Sequence, residues 1–423
     1  MRSNFEFTGR KGLTRVHLQV IISVSQMLGN IVGLNNARFQ ESLSLINSYA
    51  SSDKAMKGTG FPVEVKDLTK RAACCQLHIA ALMAEYLKLK KIQNWGAEKF
   101  ELISSNIPKD EKGLKLDSGV QDVQYTEFIL QEQLERCAEY LDKAERYEVL
   151  GELYRLIIPI HEKKRDYDML RKCYSSLADN YEKIIETNKS GRRLLGRYYR
   201  VGFYGQAYFE DENCTEYIYK EPKVTALSEI SERLYKKYCD KFGSDAVKMI
   251  QDSTPVCKAE LDPKIAYVQV THVIPYFEKH ELEERQTEFE HNHDINCFMF
   301  ETPFTKEGKA RGNPEEQWKR RTILTTSYSF PYVKKRIVVK GVRQTELTPI
   351  EVAIDEMQSR VAELEDVVFT QPTDPKKLQL RLQGSVCVQV NAGPLAYASV
   401  FLDPALSNMY PEEKVEELKD IFR

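Results

Sequence analysis

Apolar side chains follow a helical period in the first part of the chain. Between Ile129 and Ala144 they are three or four residues apart, which places them on one face of a helix: Leu130, Leu134, Cys137, Leu141 and Ala144. Two further stripes of the same kind lie over 150–160 and 170–184. These patterns predict three consecutive amphipathic helices.

The segments between these helices are short and polar. We expect Pro159 to bend or end the second helix, because proline lacks the amide donor that an interior position needs. The charged turn at 162–166 is typical of stacked antiparallel helices. Residues 1–193 therefore predict a helical-repeat lobe, although no strict repeat period is visible. Residues 98–124 are rich in Lys, Asp, Ser and Gly and predict a loop.

From Tyr198 onward, the chain contains runs of aromatic and β-branched residues. Such runs, separated by proline and glycine turns, lie at 198–205, 266–273, 298–300, 322–326 and 333–339. One helix interrupts them, because four apolar residues share a helical face: Leu227, Ile230, Leu234 and Tyr238. Residues 194–345 therefore predict an antiparallel β-sheet lobe.

Residues 346–423 predict a helical bundle with an inserted loop. Thr348, Pro349 and Glu351 form a capping-box pattern at the start of a helix, and a last helix is expected over 412–422. Between them, residues 384–394 have a glycine near each end and a proline beyond, which cannot continue a helix. The predicted fold class is mainly α with a β-sheet lobe.

Composition narrows the function. Of 423 residues, 42% are hydrophobic and 29% charged, and 61 basic against 63 acidic residues give a net charge of −2. This balance argues against a dedicated nucleic-acid binder. Nine cysteines without metal-site spacing are typical of free thiols in a reducing compartment. The apolar stretch 18–34 is interrupted by polar residues, so we expect a buried helix and no direct membrane insertion. No signal-peptide pattern precedes it, and a cytoplasmic location is expected.

Catalytic motifs for covalent chemistry are absent from the sequence: it has no phosphate loop, no dinucleotide fingerprint, no nucleophile elbow and no HExxH. The best metal candidate combines His291, His293 and Cys297, with Asp294 between them, but the spacing is loose. Surface histidines are the favoured interpretation, and no metal or cofactor is predicted.

Two basic clusters, at 319–321 and 334–336, flank the aromatic residues Tyr328, Phe330 and Tyr332. A nucleic-acid surface or a site for an acidic protein could look like this. We favour a strand edge guarded by charge.

Three valines in the inserted loop are unusual, because loops ordinarily face water: Val386, Val388 and Val390. Inward packing beneath the bundle is favoured for Val386 and Val388. The alternative is a valine wedge on a glycine-flanked tip that enters a partner's polar site.

Several segments together closely resemble the DHR2 catalytic domain of the dedicator-of-cytokinesis family. The segments are 217–222 (YIYKEP), 330–336 (FPYVKKR), 349–357 (PIEVAIDEM) and 380–397 (LRLQGSVCVQVNAGPLAY). The likeness covers nearly the whole chain and is greatest to the zizimin branch. It implies a guanine nucleotide exchange factor for Rho-family small GTPases, with Cdc42 favoured and Rac second, acting without covalent chemistry as a homodimer.

The resemblance also implies which residues act. The family's nucleotide-sensor valine falls on Val390, and the surrounding GTPase-binding residues are Val388, Asn391, Ala392, Gly393 and Pro394. Gln269 and His272 on the sheet are expected near switch 1 of the GTPase. The helical-repeat lobe is expected to lack an internal segment after Arg71, and the bundle to stop before the family's last helix is complete. Regions outside this chain would supply any membrane recruitment.

Two alternatives from other classes remain open. One is a dimeric scaffold whose sheet lobe binds a GTPase or another protein without promoting exchange. The other is a metal-dependent hydrolase, which rests only on His291, His293 and Cys297.

Overall fold

The computed structural model describes residues 63–107, 126–190, 196–221, 225–308, 312–369, 375–383 and 393–423. Within them, helices flank a sheet on both sides in sequence, so the predicted fold class is confirmed. The helix predicted over 18–34 lies outside the described residues. No helix among the described residues is both long and apolar enough to cross a bilayer.

The N-terminal helices are α1 (Val63–Leu89), α2 (Glu127–Lys143), α3 (Leu150–Lys164) and α4 (Tyr167–Ser190). The three predicted stripes correspond to α2, α3 and α4. Thr126 caps α2, because its hydroxyl accepts a hydrogen bond from the Ile129 amide. Only two residues separate α3 from α4, and such a short connection makes the two helices antiparallel neighbours.

Pro159 does not end a helix, so that part of the prediction is wrong. Helix α3 continues past it to Lys164 and ends at Arg165, which has a left-handed backbone with φ of 55°. The proline removes a hydrogen bond to the Arg155 carbonyl, but both residues lie on the exposed face of the helix. Water can hydrate that carbonyl, which lowers the penalty for the missing donor.

In the described part of the chain the sheet has seven strands: β1 (Arg197–Tyr204), β2 (Thr215–Glu221), β3 (Val247–Ile250), β4 (Ala266–Pro275), β5 (Ile295–Phe304), β6 (Trp318–Phe330) and β7 (Arg336–Leu347). Their order is β1-β2-β7-β6-β5-β4-β3, and β1 also pairs with β4. This extra pairing closes the strands into a ring, which leaves β1 with neighbours on both edges.

The sheet differs from the prediction in two respects. Strands β3 and β4 are parallel, whereas the other pairs are antiparallel as predicted. The run 333–339 becomes a strand only at Arg336. The predicted intervening helix is α6 (Leu227–Phe242), and its apolar face packs on the strands. Two short helices, α5 (Gln206–Phe209) and α7 (Lys279–Glu284), lie in connections.

The C-terminal helices are α8 (Pro349–Phe369), α9 (Pro375–Leu382), α10 (Pro394–Phe401) and α11 (Glu412–Phe422). The capping pattern before α8 is realised by Glu351, whose carboxylate accepts from the Thr348 amide at 2.9 Å and hydroxyl at 2.7 Å. Helices α8, α10 and α11 share one apolar core. The inserted loop falls between α9 and α10.

The start of the predicted polar loop at 98–124 is structured, and it contacts both the helical core and the sheet. Ile103 and Ile107 are buried in the helical core. The Asn106 side chain donates to the Ser329 carbonyl at 2.8 Å and accepts from the Ser329 amide at 2.7 Å. Residues 108–125 lie outside the described part of the chain, so the rest of that loop stays a prediction.

A second contact between helices and sheet centres on Arg146. Its guanidinium lies 5.1 Å from the Phe289 ring centre and donates a hydrogen bond to Nδ1 of His293. Nearby, burial, then Tyr328, and then the thiols of Cys74 and Cys75 on α1 raise the pKa of Tyr332 in the β6–β7 connection. Aromatic, cationic and thiol groups therefore share this junction.

Candidate functional site

The inserted loop is only partly within the described structure. Val386, Val388, Val390, Asn391 and Ala392 lie outside the described residues, so their predicted roles stay predictions.

Gly393 and Pro394 mark the point where the chain leaves the loop and enters α10. Gly393 is buried and extended, with φ of −162° and ψ of 173°, a conformation open to any residue. Its carbonyl accepts a hydrogen bond from the Tyr397 amide at 2.9 Å. Pro394 occupies the first helical turn, where no amide donor is needed.

Gln269 is a buried residue of β4 that organises a loop. Its side-chain nitrogen donates to the carbonyls of Asp252 at 2.8 Å and Thr254 at 2.9 Å. The Tyr204 hydroxyl donates to its side-chain oxygen at 3.4 Å. Because the residue is fully buried, its side chain holds the loop after β3 in place and does not itself face a partner.

His272, three residues further along β4, is exposed. It pairs across the strands with Tyr199 of β1, and the two rings meet edge to face with centroids 5.5 Å apart. Partial burial, followed by the charge of Arg197, lowers the pKa of His272 below its usual value. The imidazole is therefore neutral at pH 7 and presents a hydrogen-bonding ring at the surface.

The sequence interpretation missed a groove on the sheet beside Gln269. Its volume is about 490 Å³, and its lining includes Arg200, Tyr204, Ser253, Phe300 and Thr302. Arg200 is held there by two hydrogen bonds to Glu216 and lies 5.2 Å from the Phe300 ring centre. A single arginine within the apolar run 198–205 is the signal that could have indicated the groove.

Ion pairs neutralise most of the two basic clusters. Lys319 and Arg321 bind carboxylates of β5 and α8, and Arg320 binds Glu346 at 2.9 Å. In the second cluster, Lys335 lies 3.3 Å from the buried carboxylate of Glu221, and Arg336 pairs with Glu212. These contacts argue against a nucleic-acid surface. The strand-edge interpretation is wrong, because β6 is paired at 319–321 with both β5 and β7, and β7 lies between β2 and β6.

The candidate metal ligands do not converge. His293 stacks on Phe289, His291 lies beside Phe277, and the Cys297 thiol is 3.8 Å from the Thr325 hydroxyl. Among the described residues, no group of three His, Cys, Asp or Glu side chains is placed to hold a metal ion. The structure therefore does not support the hydrolase alternative.

Comparison with known families matches three consecutive models in order. DHR-2 Lobe A matches residues 69–186, DHR-2 Lobe B residues 253–329 and DHR-2 Lobe C residues 363–423. The dedicator of cytokinesis protein 9 of Rattus norvegicus is 43% identical, over all of this chain and 70% of its own length. The chain belongs to the dedicator-of-cytokinesis family.

Other family members indicate the branch. Dedicator of cytokinesis protein 9 of Mus musculus and protein 11 of Danio rerio are each 48% identical over the whole of this chain. Human protein 7 is 37% identical over 95% of the chain. This dedicator-of-cytokinesis chain therefore belongs with the zizimin-like members, and it spans about a quarter of the length of the mouse and zebrafish proteins.

Proposed function

We propose that this chain is a guanine nucleotide exchange factor for Rho-family small GTPases, with Cdc42 the preferred substrate and Rac the second. The observation that carries the proposal is the ordered match of all three DHR-2 lobes. We place the lobe boundaries after residues 193 and 345, and the site of action in the cytoplasm.

The proposed mechanism needs no covalent step. A small GTPase holds GDP through its phosphate loop and Mg²⁺, an ion that requires oxygen ligands in octahedral geometry. The side chain of Val390 offers no ligand atom, so placing it against that metal site excludes the ion and leaves the diphosphate charge uncompensated. Because binding of GTPase and loss of GDP are linked, a factor that prefers the nucleotide-free form must loosen GDP.

The sheet supplies the second half of the proposed site. The groove lined by Arg200 and Phe300 would receive switch 1 and hold it open. His272 lies on the opposite face of β1 and β4, beside Tyr199, and its exposed ring would be a separate contact of the GTPase. Gln269 would act indirectly, by fixing the loop at residues 252–254 beside that groove. Pro394 would face the GTPase from the start of α10, and Gly393, which is buried, would act indirectly by directing the loop into that helix.

We further propose that the chain forms a homodimer through residues 127–190. Helix α4 carries a stripe of exposed apolar and aromatic side chains seven or four residues apart: Tyr167, Tyr174, Tyr181 and Ile185. Exposed surface of this kind is typical of an interaction site. Each protomer would keep its own GTPase site.

The deciding experiment is release of fluorescent GDP from purified Cdc42 and Rac with the chain added. We expect acceleration with both GTPases and a greater effect on Cdc42. Binding measured in parallel should be tight for the nucleotide-free GTPase and weaken when GDP and Mg²⁺ are supplied together. Equal affinity for both forms, without faster release, would instead establish the scaffold alternative.

A further inference from the structure

A network of charged groups connects the sheet to the C-terminal helices. On α8, the adjacent carboxylates of Asp355 and Glu356 face β6, where Arg321 lies 2.9 Å from Asp355 and Lys319 lies 2.8 Å from Glu356. Glu301 of β5 bridges the two cations, at 2.6 Å from Arg321 and 3.4 Å from Lys319. Three elements are thus joined by alternating charges.

Glu356 extends this network to α10. One of its carboxylate oxygens accepts a hydrogen bond from the Lys319 ammonium, and the other accepts one from the Tyr397 hydroxyl at 2.6 Å. Tyr397 is only 1% exposed, and its ring packs beside Phe401 in the shared helical core. Glu356 is therefore the group through which the sheet contacts the helix that follows the inserted loop.

These contacts are directional where the rest of the α10 packing is not. Apolar contacts of Tyr397 and Phe401 keep α10 in the core but tolerate small rotations or shifts. A short hydrogen bond to a carboxylate fixes both distance and angle. Although burial alone would lower the pKa of Lys319, its bonds to Glu356 and Glu301 raise it, so the Lys319 ammonium is charged at neutral pH.

We propose that Tyr397, Glu356 and Lys319 are positioning residues that fix the start of α10, where Gly393 and Pro394 lie, relative to the strands of the sheet. The inference rests on the proposed exchange function, because the two halves of the GTPase site lie on these two elements. A GTPase held by the sheet would meet the loop residues correctly only if α10 keeps this placement. A shift of about 1 Å suffices to lower the rate of a positioned step.

The test compares Tyr397→Phe with a matched control, Tyr208→Phe. The Tyr208 hydroxyl donates to the Lys264 carbonyl, also at 2.6 Å, but on α5, away from the network. For each variant, the maximal rate of GDP release from Cdc42, the half-saturating concentration of the chain and the amide hydrogen exchange of residues 394–401 are measured. The melting temperature reports any general loss of stability.

For Tyr397→Phe we expect the maximal rate to fall about three- to tenfold, the half-saturating concentration to stay within about twofold, and amide exchange in α10 to quicken. Tyr208→Phe should change none of these. A maximal rate equal to the control, or a loss confined to the half-saturating concentration, would overturn the proposal.

A double-mutant comparison tests the coupling itself. Lys319→Met and Tyr397→Phe remove two partners of one carboxylate, so their effects on the maximal rate should be less than additive when combined. Lys319→Arg, which keeps the charge, should retain most of the rate. Simple additivity would show that Glu356 does not couple the two elements.

The outcome also separates this inference from the proposed function. An unmutated chain that fails to accelerate GDP release would disprove the exchange function. The amide-exchange comparison would then still judge the positioning role, because equal protection of α10 in Tyr397→Phe and Tyr208→Phe would overturn it.

Discussion

Single residues divide here into those expected to contact a GTPase and those that hold others in place. Val390 and His272 belong to the first kind, and Gln269 and Glu356 belong to the second. The distinction matters for mutagenesis, since truncating a buried residue alters stability as well as binding.

Val390→Ala tests the proposed wedge. The change removes two methyl groups, worth about 1–2 kcal/mol even where a valine is fully buried, so we expect normal folding and retained GTPase binding. Because alanine would no longer reach the Mg²⁺ site, GDP release should slow markedly. Release kinetics and thermal melting check both expectations.

Val386→Ala is the matched control for the wedge. If Val386 packs inward, its loss should lower the melting temperature more than the exchange rate. Full exchange activity in Val390→Ala at unchanged stability would assign the sensor role elsewhere.

Gln269→Leu tests the buried support of the loop beside the groove. The substitution leaves the carbonyls of Asp252 and Thr254 without their donor, so we expect a loss of about 1–3 kcal/mol in stability and weaker GTPase binding. His272→Ala should weaken binding with a stability change within about 0.5 kcal/mol, since His272 is exposed. Urea unfolding and titration with nucleotide-free Cdc42 distinguish the two; equal stability losses would contradict this division of roles.

Among the secondary-structure elements, α4 has the clearest unpaired surface within the described part of the chain. Tyr174→Arg combined with Tyr181→Arg should weaken the proposed dimer at least about a hundredfold, because two aromatic side chains would no longer be buried. Sedimentation at micromolar concentration should then show a monomer. Tyr235→Arg, at an exposed position of α6, is the control and should leave the dimer intact. A monomer in the unmutated chain would remove the dimer proposal without affecting exchange.

Elements with a clear apolar period were predictable from sequence. Helices α6 and α11 match their expected spans, and β1 and β4 lie where aromatic and β-branched runs indicated them. Strand β3 was not predicted from the sequence, because it has only four residues and pairs in parallel with β4. Local patterns carry little information on such pairing.

The site was less predictable than the fold, because its contacts join residues distant in sequence. The burial of Gln269 follows from closure of the strand ring, in which five consecutive residues of β4 are buried regardless of the side they face. No alternation distinguishes an inward from an outward residue there. Likewise, the link from Tyr397 to Lys319 depends on how α8 crosses β6, which single-segment patterns do not encode.

The molecule as a whole should lose stability in mild acid at the junction of helices and sheet. Burial, and then the charge of Arg146, hold the pKa of His293 well below 6.5, and its Nδ1 accepts a hydrogen bond from Arg146 only while the ring is neutral. The unfolded chain therefore takes up this proton first as the pH falls. Stability from this group is complete above about pH 6.5 and is lost below it, by up to about 1.4 kcal/mol per pH unit.

Melting temperatures between pH 7.5 and 5.5 measure this loss, and we expect a steady decline. His293→Gln should melt lower at pH 7.5 but decline less steeply. Part of the slope should remain, because burial also lowers the pKa of His78, to about 4. Identical slopes in the two proteins would show that His293 does not report on this junction.

The adjacent free cysteines Cys74 and Cys75 on α1 allow the opening of this junction, which also contains Tyr332, to be measured. Burial raises the pKa of Cys74, and burial together with Cys74 raises that of Cys75 to about 12, from an ordinary value of 9.0. Thiolate is the reactive form, so Cys75 should be alkylated more slowly while the junction is closed than when it opens. The rate at which these two cysteines are labelled would then report how often the helices and the sheet separate. A slower rate in the presence of the GTPase would show that binding makes such openings rarer.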